Sequence, residues 1–179
     1  MPDFDDSLPV KISWVGEGTE EEDGDGYVNH IFRVQTEKEA YVVKQGLPLA
    51  RVSQMPMEIS RNKLEYDSMR IRYSIVPEYT PFLKFHDPEN NVFVMEDVSH
   101  LQISRFQFNK NVMFENFGRM CGECMAKTEF YTSEYYLDRA EFRQMMCRFD
   151  NTPMRKIMEH GMFLDMFHEP LDDRLGQEF

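Results

Sequence analysis

Three clusters of residues in this sequence have the types and spacing to do chemistry. The first is Gly24-Asp25-Gly26-Tyr27-Val28-Asn29, just ahead of a β-rich run. Glycines let the backbone bend tightly and bring amide N–H groups close to phosphate oxygens, and Asn29 adds a neutral donor. Alone, a Gly-Asp-Gly turn is commonly no more than the opening of a strand. The second is Lys44, which closes Tyr41-Val42-Val43-Lys44. A lysine so placed can hold nucleotide phosphates when a carboxylate on the following helix orients it. Glu65 is one candidate for that carboxylate, and Glu58 in the same charged segment is another. The ordinary reading of a strand-ending lysine is a solvated one. The third is Val94-Met95-Glu96-Asp97-Val98-Ser99-His100, directly after a strand. Such a segment can serve as a hinge that meets a base through its backbone. Its two acids would suit a metal ion only with further ligands, which leaves a hinge or a plain strand exit.

The elements that must position these residues follow from the pattern. Val28 to Val34 and Ala40 to Lys44 read as two strands joined by the polar turn Gln35 to Glu39. A loop with Gly46, Pro48 and Pro56 follows. Glu58 to Tyr73 has no Gly or Pro and reads as a helix. Phe82 to Phe85 and Asn91 to Met95 read as a hairpin around a turn rich in turn formers. After Ser99 the character becomes helical. Phe117, Cys121, Cys124 and Thr128 share a helical spacing, and Glu134 to Arg148 and Pro153 to His160 are further helix candidates. The fold class is α+β: an antiparallel sheet of about five strands with one inserted helix, then helices. The order glycine turn, strand, strand-ending lysine, helix glutamate is more specific than any one element, and it is the order of a kinase-type nucleotide site.

The bulk properties narrow the classes. A chain of 179 residues supports one core, or a lobe with helical additions. A net charge of -12 argues against a general nucleic-acid binder. Mean hydropathy is -0.58, and no apolar run approaches the roughly 20 residues that span a bilayer. The first residues are acidic, unlike a secretory leader. Three cysteines, Cys121, Cys124 and Cys147, do not suggest a disulfide scaffold, so a reducing, cytoplasmic setting is expected. Cys121-Gly122-Glu123-Cys124 has zinc spacing but lacks further ligands, and its helical spacing points to buried thiols. Tyr131, Tyr135 and Tyr136 read as core. The acidic run Glu20 to Asp25 reads as a solvated loop.

Taken together the clusters resemble the methylthioribose kinase family. Gly24 to Asn29 is similar to that family's Gly-Asp-Gly-Asn-Leu-Asn loop, with Tyr27 departing from the usual Asn. Val43-Lys44-Gln45-Gly46-Leu47-Pro48 resembles its Lys-Gln-small-apolar-Pro segment. Glu65 falls where the family carries its helix glutamate, and Val94 to Leu101 is similar to its hinge. The similarity continues through Phe130 to Tyr135 and Phe149 to Pro153 and ends near Asp165. The resemblance implies a protein-kinase-like N-terminal lobe over residues 1–99, the helical start of a C-terminal lobe over 100–170, and an exposed tail at 171–179. It implies transfer of the ATP γ-phosphate to the 1-hydroxyl of 5-methylthioribose with Mg²⁺, in methionine salvage. By position, Gly24, Asp25, Gly26, Asn29, Lys44 and Glu65 would serve the phosphates. Glu96, Asp97 and Val98 would meet the adenine.

Phosphoryl transfer also needs a group that orients the attacking hydroxyl and acids that hold Mg²⁺. In the family these come from a His-Gly-Asp loop and a later Asp-Pro-Glu. Here His160-Gly161-Met162 begins like the first, but a methionine can do neither task. Asp87-Pro88-Glu89 has the letters of the second, but it lies before the hinge and reads as a turn. No catalytic or metal-ligating residue is therefore assigned, and the chain alone is expected to be inactive. The resemblance also implies pairing with a second copy or a full-length kinase, with 5-methylthioribose a partner only when the remaining lobe is supplied. The alternatives are a non-catalytic nucleotide-binding or dimerisation module, and the lobe of a choline- or aminoglycoside-kinase-like enzyme.

Overall fold

In a computed structural model, residues 7–15 and 27–164 are described. The chain packs as two compact units, 1–149 and 150–179. The first unit holds five strands: β1 (Lys11–Trp14), β2 (His30–Gln35), β3 (Ala40–Gln45), β4 (Leu83–Asp87) and β5 (Val92–Glu96). They form one sheet in the order β1-β2-β3-β5-β4, with every neighbouring pair antiparallel. The helix α1 (Ser60–Ile75) interrupts the strands, and α2 (Ser104–Asn109), α3 (Phe117–Tyr131) and α4 (Arg139–Arg148) follow them. The second unit contains α5 (Thr152–Met158), which runs on into a π-helical turn, Glu159–Leu164. No helix of the described residues is long and apolar enough to cross a membrane.

The α+β arrangement expected from the pattern is the one observed. The polar turn between β2 and β3 closes on Thr36, whose Oγ1 accepts from the Lys38 and Glu39 amides. The hairpin turn between β4 and β5 closes on Asp87. Its carboxylate accepts from the Glu89 and Asn90 amides and from the Asn90 side chain, and Asn91 adopts a left-handed φ of 52°. Asp87-Pro88-Glu89 is thus a turn. Residues before Asp25 were given no strand, yet Lys11–Trp14 joins the sheet edge against β2. Four exposed residues carry little hydrophobic signal; the pairing is fixed by partners, with the Trp14 ring 4.3 Å from that of Phe32.

Side chains alternate across a strand, so the register divides the sheet into two faces. Val42, Lys44, Phe93 and Met95 share the face covered by α1, while Tyr41, Val43, Val92 and Val94 share the other. Phe93 is fully buried, as is Val76 just past α1. Tyr66 of α1 stacks on His86 at 4.1 Å and lies 6.0 Å from Phe93, which makes the apolar anchor between helix and sheet. Tyr73 of α1 adds an edge contact with Phe82 at 5.6 Å, and polar contacts complete the docking. Arg61, Asn62 and Asp67 are the buried residues of α1. Asp67 accepts from Lys63 within the helix and from Arg148 of α4. Burial alone would raise the Asp67 carboxyl, but Lys63 and Arg148 outweigh it and hold the group below the usual carboxylate range.

Two expectations for the helical part need correction. Cys121 and Cys124 are half-buried and Cys147 is exposed. Tyr131, Tyr135 and Tyr136 are exposed, Tyr135 at 87%, and Tyr131 and Tyr136 form a surface cluster with Phe130. Helical periodicity was a sound guide to the helix but not to burial. A face is buried only where another element covers it, and α3 packs against α1 on one flank while Met125 and Phe130 stay exposed on another. The Glu134 to Arg148 helix starts later, at Arg139, because Asp138 and Glu141 form a capping box there.

A Cβ added at Gly46 would lie 2.9 Å from the Cβ of Asn62, which is 2% exposed. Neither atom can swing aside, so Gly46→Ala is expected to destabilise the fold by about 1–3 kcal/mol through overpacking. The check is a lower urea midpoint with an unchanged slope. A midpoint equal to wild type would mean that β3 and α1 do not approach this closely.

Candidate functional site

Lys44 lies near the end of β3, paired with Ile31 on one side and Phe93 on the other. Its side chain is mostly buried, and its ammonium sits 6.0 Å from the centre of the Phe93 ring. Its Nζ donates to Glu65 Oε1 across the gap between sheet and helix. The competitor is thereby excluded as the partner in this structure. Glu58 precedes α1, and it is its backbone carbonyl that is used, by Arg61 Nη1 at 2.8 Å. The strand-ending lysine is therefore not a solvated one: the fold brings Lys44 and Glu65 together as the kinase order requires.

Asn29 stands one residue before β2, on the same face by alternation. Its Oδ1 accepts from Arg61 Nη2 at 2.9 Å. Arg61 and Glu65 are one helical turn apart on α1, so they share a side of the helix. The Arg61 guanidinium is pushed below its ordinary value by burial, with Glu65 opposing that shift. Two polar contacts, Asn29 to Arg61 and Glu65 to Lys44, thus lie one helical turn apart on α1. They hold two cations and one carboxylate, an excess of one positive charge inside an acidic protein.

In the segment after β5 both acids are engaged within the protein. Arg33 of β2 approaches Asp97 Oδ2 with Nε at 2.8 Å and Nη2 at 2.6 Å. The Ser99 amide and hydroxyl donate to the same carboxylate. Burial would raise the Asp97 carboxyl, but the Arg33 and Ser99 bonds prevail and hold it below the usual range. The Val98 carbonyl accepts from the Leu101 amide at 2.9 Å and closes a tight turn. Glu96 faces the opposite side of the sheet, where its carboxylate accepts from the Phe82 amide. Asp97 and Glu96 therefore shape the segment with their side chains, and what they can offer a ligand is backbone. Gly24, Asp25 and Gly26, together with the acidic run at Glu20 to Asp25 and the tail at 171–179, lie outside the described residues.

Sequence reasoning missed Arg61 and Arg33. Charged residues are mostly exposed, so a buried arginine is not expected from type alone. The usable signal for Arg61 was its spacing of four from Glu65. An open cleft of about 370 Å³, lined by residues such as Val34, Tyr41, Val43 and Phe85, lies on the other face of the sheet and contains none of the expected site residues. Among the described residues no group of three or more His, Cys, Asp or Glu could hold a metal ion.

No family model matches the chain. Curated relatives do. A methylthioribose kinase of Geobacillus sp. (strain WCH70) is 37% identical over 168 residues, 90% of this chain and 42% of that protein. That of Geobacillus thermodenitrificans (strain NG80-2) is 34% identical over 170 residues, 91% and 43% respectively. That of Bacillus velezensis is 34% identical over 155 residues, 83% and 39%. The chain thus spans about two fifths of the length of the curated relatives it matches.

The Asp97 geometry has a pH signature. A carboxyl whose folded value is depressed stabilises the fold above its unfolded value, about 3.9, and loses that contribution as pH falls through the folded value. Asp97→Asn is expected to cost about 2 kcal/mol at pH 7, the scale of a hydrogen bond to a charged group. The gap from wild type should close below about pH 4. Urea unfolding at several pH values measures this; a gap that persists unchanged into acid would separate Asp97 from the effect.

Proposed function

We propose that this chain, a homologue of methylthioribose kinases over some two fifths of their length, provides the ATP-binding part of such a kinase. The observation that carries the reading is the Lys44–Glu65 pair on the helix-covered face of the sheet. A paired, half-desolvated lysine is held in place for a phosphate oxygen, whereas a solvated one must be ordered when the ligand binds. On this reading Lys44 meets the phosphates, Glu65 orients Lys44, and Asn29 contributes its amide. Backbone groups of Glu96, Asp97 and Val98 receive the adenine, and Gly24, Asp25 and Gly26 lie along the phosphates.

Residues 1–99 would then act as the nucleotide lobe with the hinge at its end, 100–170 as the helical start of a second lobe, and 171–179 as a tail. The reaction is phosphorylation of the 1-hydroxyl of 5-methylthioribose, a step of methionine salvage, carried out in the cytoplasm. ATP with its Mg²⁺ supplies the phosphoryl group when bound. On this reading the residues of this chain bind and orient the nucleotide. The exposed apolar residues of α2 to α4 suit pairing with a second copy or with the rest of a kinase. The chain by itself is inactive on this reading, and an assay with ATP, Mg²⁺ and methylthioribose is expected to show no turnover above background.

Lys44→Met tests the reading directly. Losing a charge-assisted hydrogen bond of about 1.5–3 kcal/mol should weaken MgATP binding by roughly 10- to 100-fold. Titration calorimetry on the 179-residue chain reads it, with circular dichroism to show that the fold is kept. Equal affinity in the variant removes Lys44 from the site.

A further inference from the structure

We propose that Arg61 is a positioning residue that locks the end of the glycine-rich segment to the Lys44–Glu65 pair by holding the Asn29 carboxamide. The inference rests on the nucleotide-binding reading and adds to it a residue that the motif comparison did not assign. Arg61 is only 6% exposed. Its guanidinium makes two directed bonds, Nη1 to the Glu58 carbonyl at 2.8 Å and Nη2 to Asn29 Oδ1 at 2.9 Å. Its Nε is buried with no hydrogen-bond partner. A buried donor left unpaired is unfavourable, so the side chain is not placed for its own satisfaction. It is placed where it spans the helix start and Asn29.

The consequence concerns orientation. Once Oδ1 accepts from Arg61, the Asn29 amide nitrogen must point away from the guanidinium, which leaves a donor on the far side of the side chain. The preceding residues are fixed from a second direction. The Val28 carbonyl accepts from the Arg51 amide at 3.1 Å, and the Tyr27 carbonyl accepts from the Val52 amide at 3.0 Å. Three consecutive residues at the exit of the glycine-rich segment are thus held by the β3–α1 connection and by α1. Arg61 supplies the side-chain bond in that set, and because it and Glu65 stand one turn apart on the same rigid helix, α1 fixes Asn29 and Lys44 relative to each other. Lysine cannot replace it, because one ammonium on a flexible stem does not make both bonds of a planar fork.

The test compares MgATP with adenosine on the full chain, by calorimetry and by NMR titration. The proteins are wild type, Arg61→Lys, Asn29→Ala and the double variant. Each single change is expected to weaken MgATP binding by roughly tenfold and leave adenosine affinity within about twofold. The double variant should be no worse than the weaker single, because the two residues act through one bond. Asn29→Ala leaves Arg61 its bond to the Glu58 carbonyl and its place in the helix, so it keeps the test open if Arg61→Lys fails to fold. Unchanged MgATP affinity in a folded variant, an equal loss for adenosine, or multiplied effects in the double variant would each overturn the positioning role while nucleotide binding stands. A wild-type chain that does not bind MgATP would instead remove the nucleotide reading, and this proposal with it.

Discussion

The structure depends on how α1 is held against the sheet, and it is held largely by charge. The helix has Arg61, Asn62 and Asp67 as its buried residues, and no broad apolar stripe. Its aromatic contacts are Tyr66 against His86 and Phe93, and Tyr73 against Phe82. Its other attachments are Asn29 to Arg61, Lys44 to Glu65, and Asp67 to Arg148. Partly exposed ion pairs contribute little net stability, about 0–1 kcal/mol each. What they supply is geometry, since each bond is satisfied at one rotation and one height of the helix. A helix docked this way has its place dictated by the residues that also form the site, so fold and site are specified together.

That arrangement also resolves an apparent conflict of charge. The chain carries 32 acidic and 20 basic residues, which should disfavour a polyanionic ligand. Solvent ions screen charges beyond about 8 Å, so the distant acids count for little at the site. The nearest charges decide. Arg61 and Lys44 enclose Glu65, and a phosphate approaching Lys44 meets a local excess of cation held in a partly desolvated setting, where Coulomb terms are larger than in water.

The sequence was informative where local rules govern. The alternating strands, the turn at Asp87 and the helix from Ser60 can all be read from residue types, because each is set by neighbours a few positions away. The Lys44–Glu65 pair was legible too, but only as one of two pairings, since sequence cannot say which side of α1 faces β3. Strand β1 was not legible, for its four residues are exposed and its partner lies some twenty positions on. Burial in the helical part was misread for a related reason. The spacing of Cys121 and Cys124 identifies one helix face, while burial requires a second element over that face. Arg61 and Arg33 were invisible because their acceptors, Asn29 and Asp97, are distant in sequence.

The acids of this structure show why letters alone mislead. Asp87 stands in a triplet that spells a metal motif, yet the Asn90 side chain, together with the Asn90 and Glu89 amides, holds its carboxyl below the usual range and occupies both oxygens. Asp97 is taken by Arg33 and Ser99, Asp67 by Lys63 and Arg148, and Glu65 by Lys44. Each of these carboxylates is held by bonds within the protein, so the fold sets its place. These acids therefore build the frame. Lys44 is placed differently: its one carboxylate partner orients it, and an ammonium has three donors. On the nucleotide-binding reading, that asymmetry of bonded acids and a cation with donors to spare suits Lys44 to a phosphate oxygen.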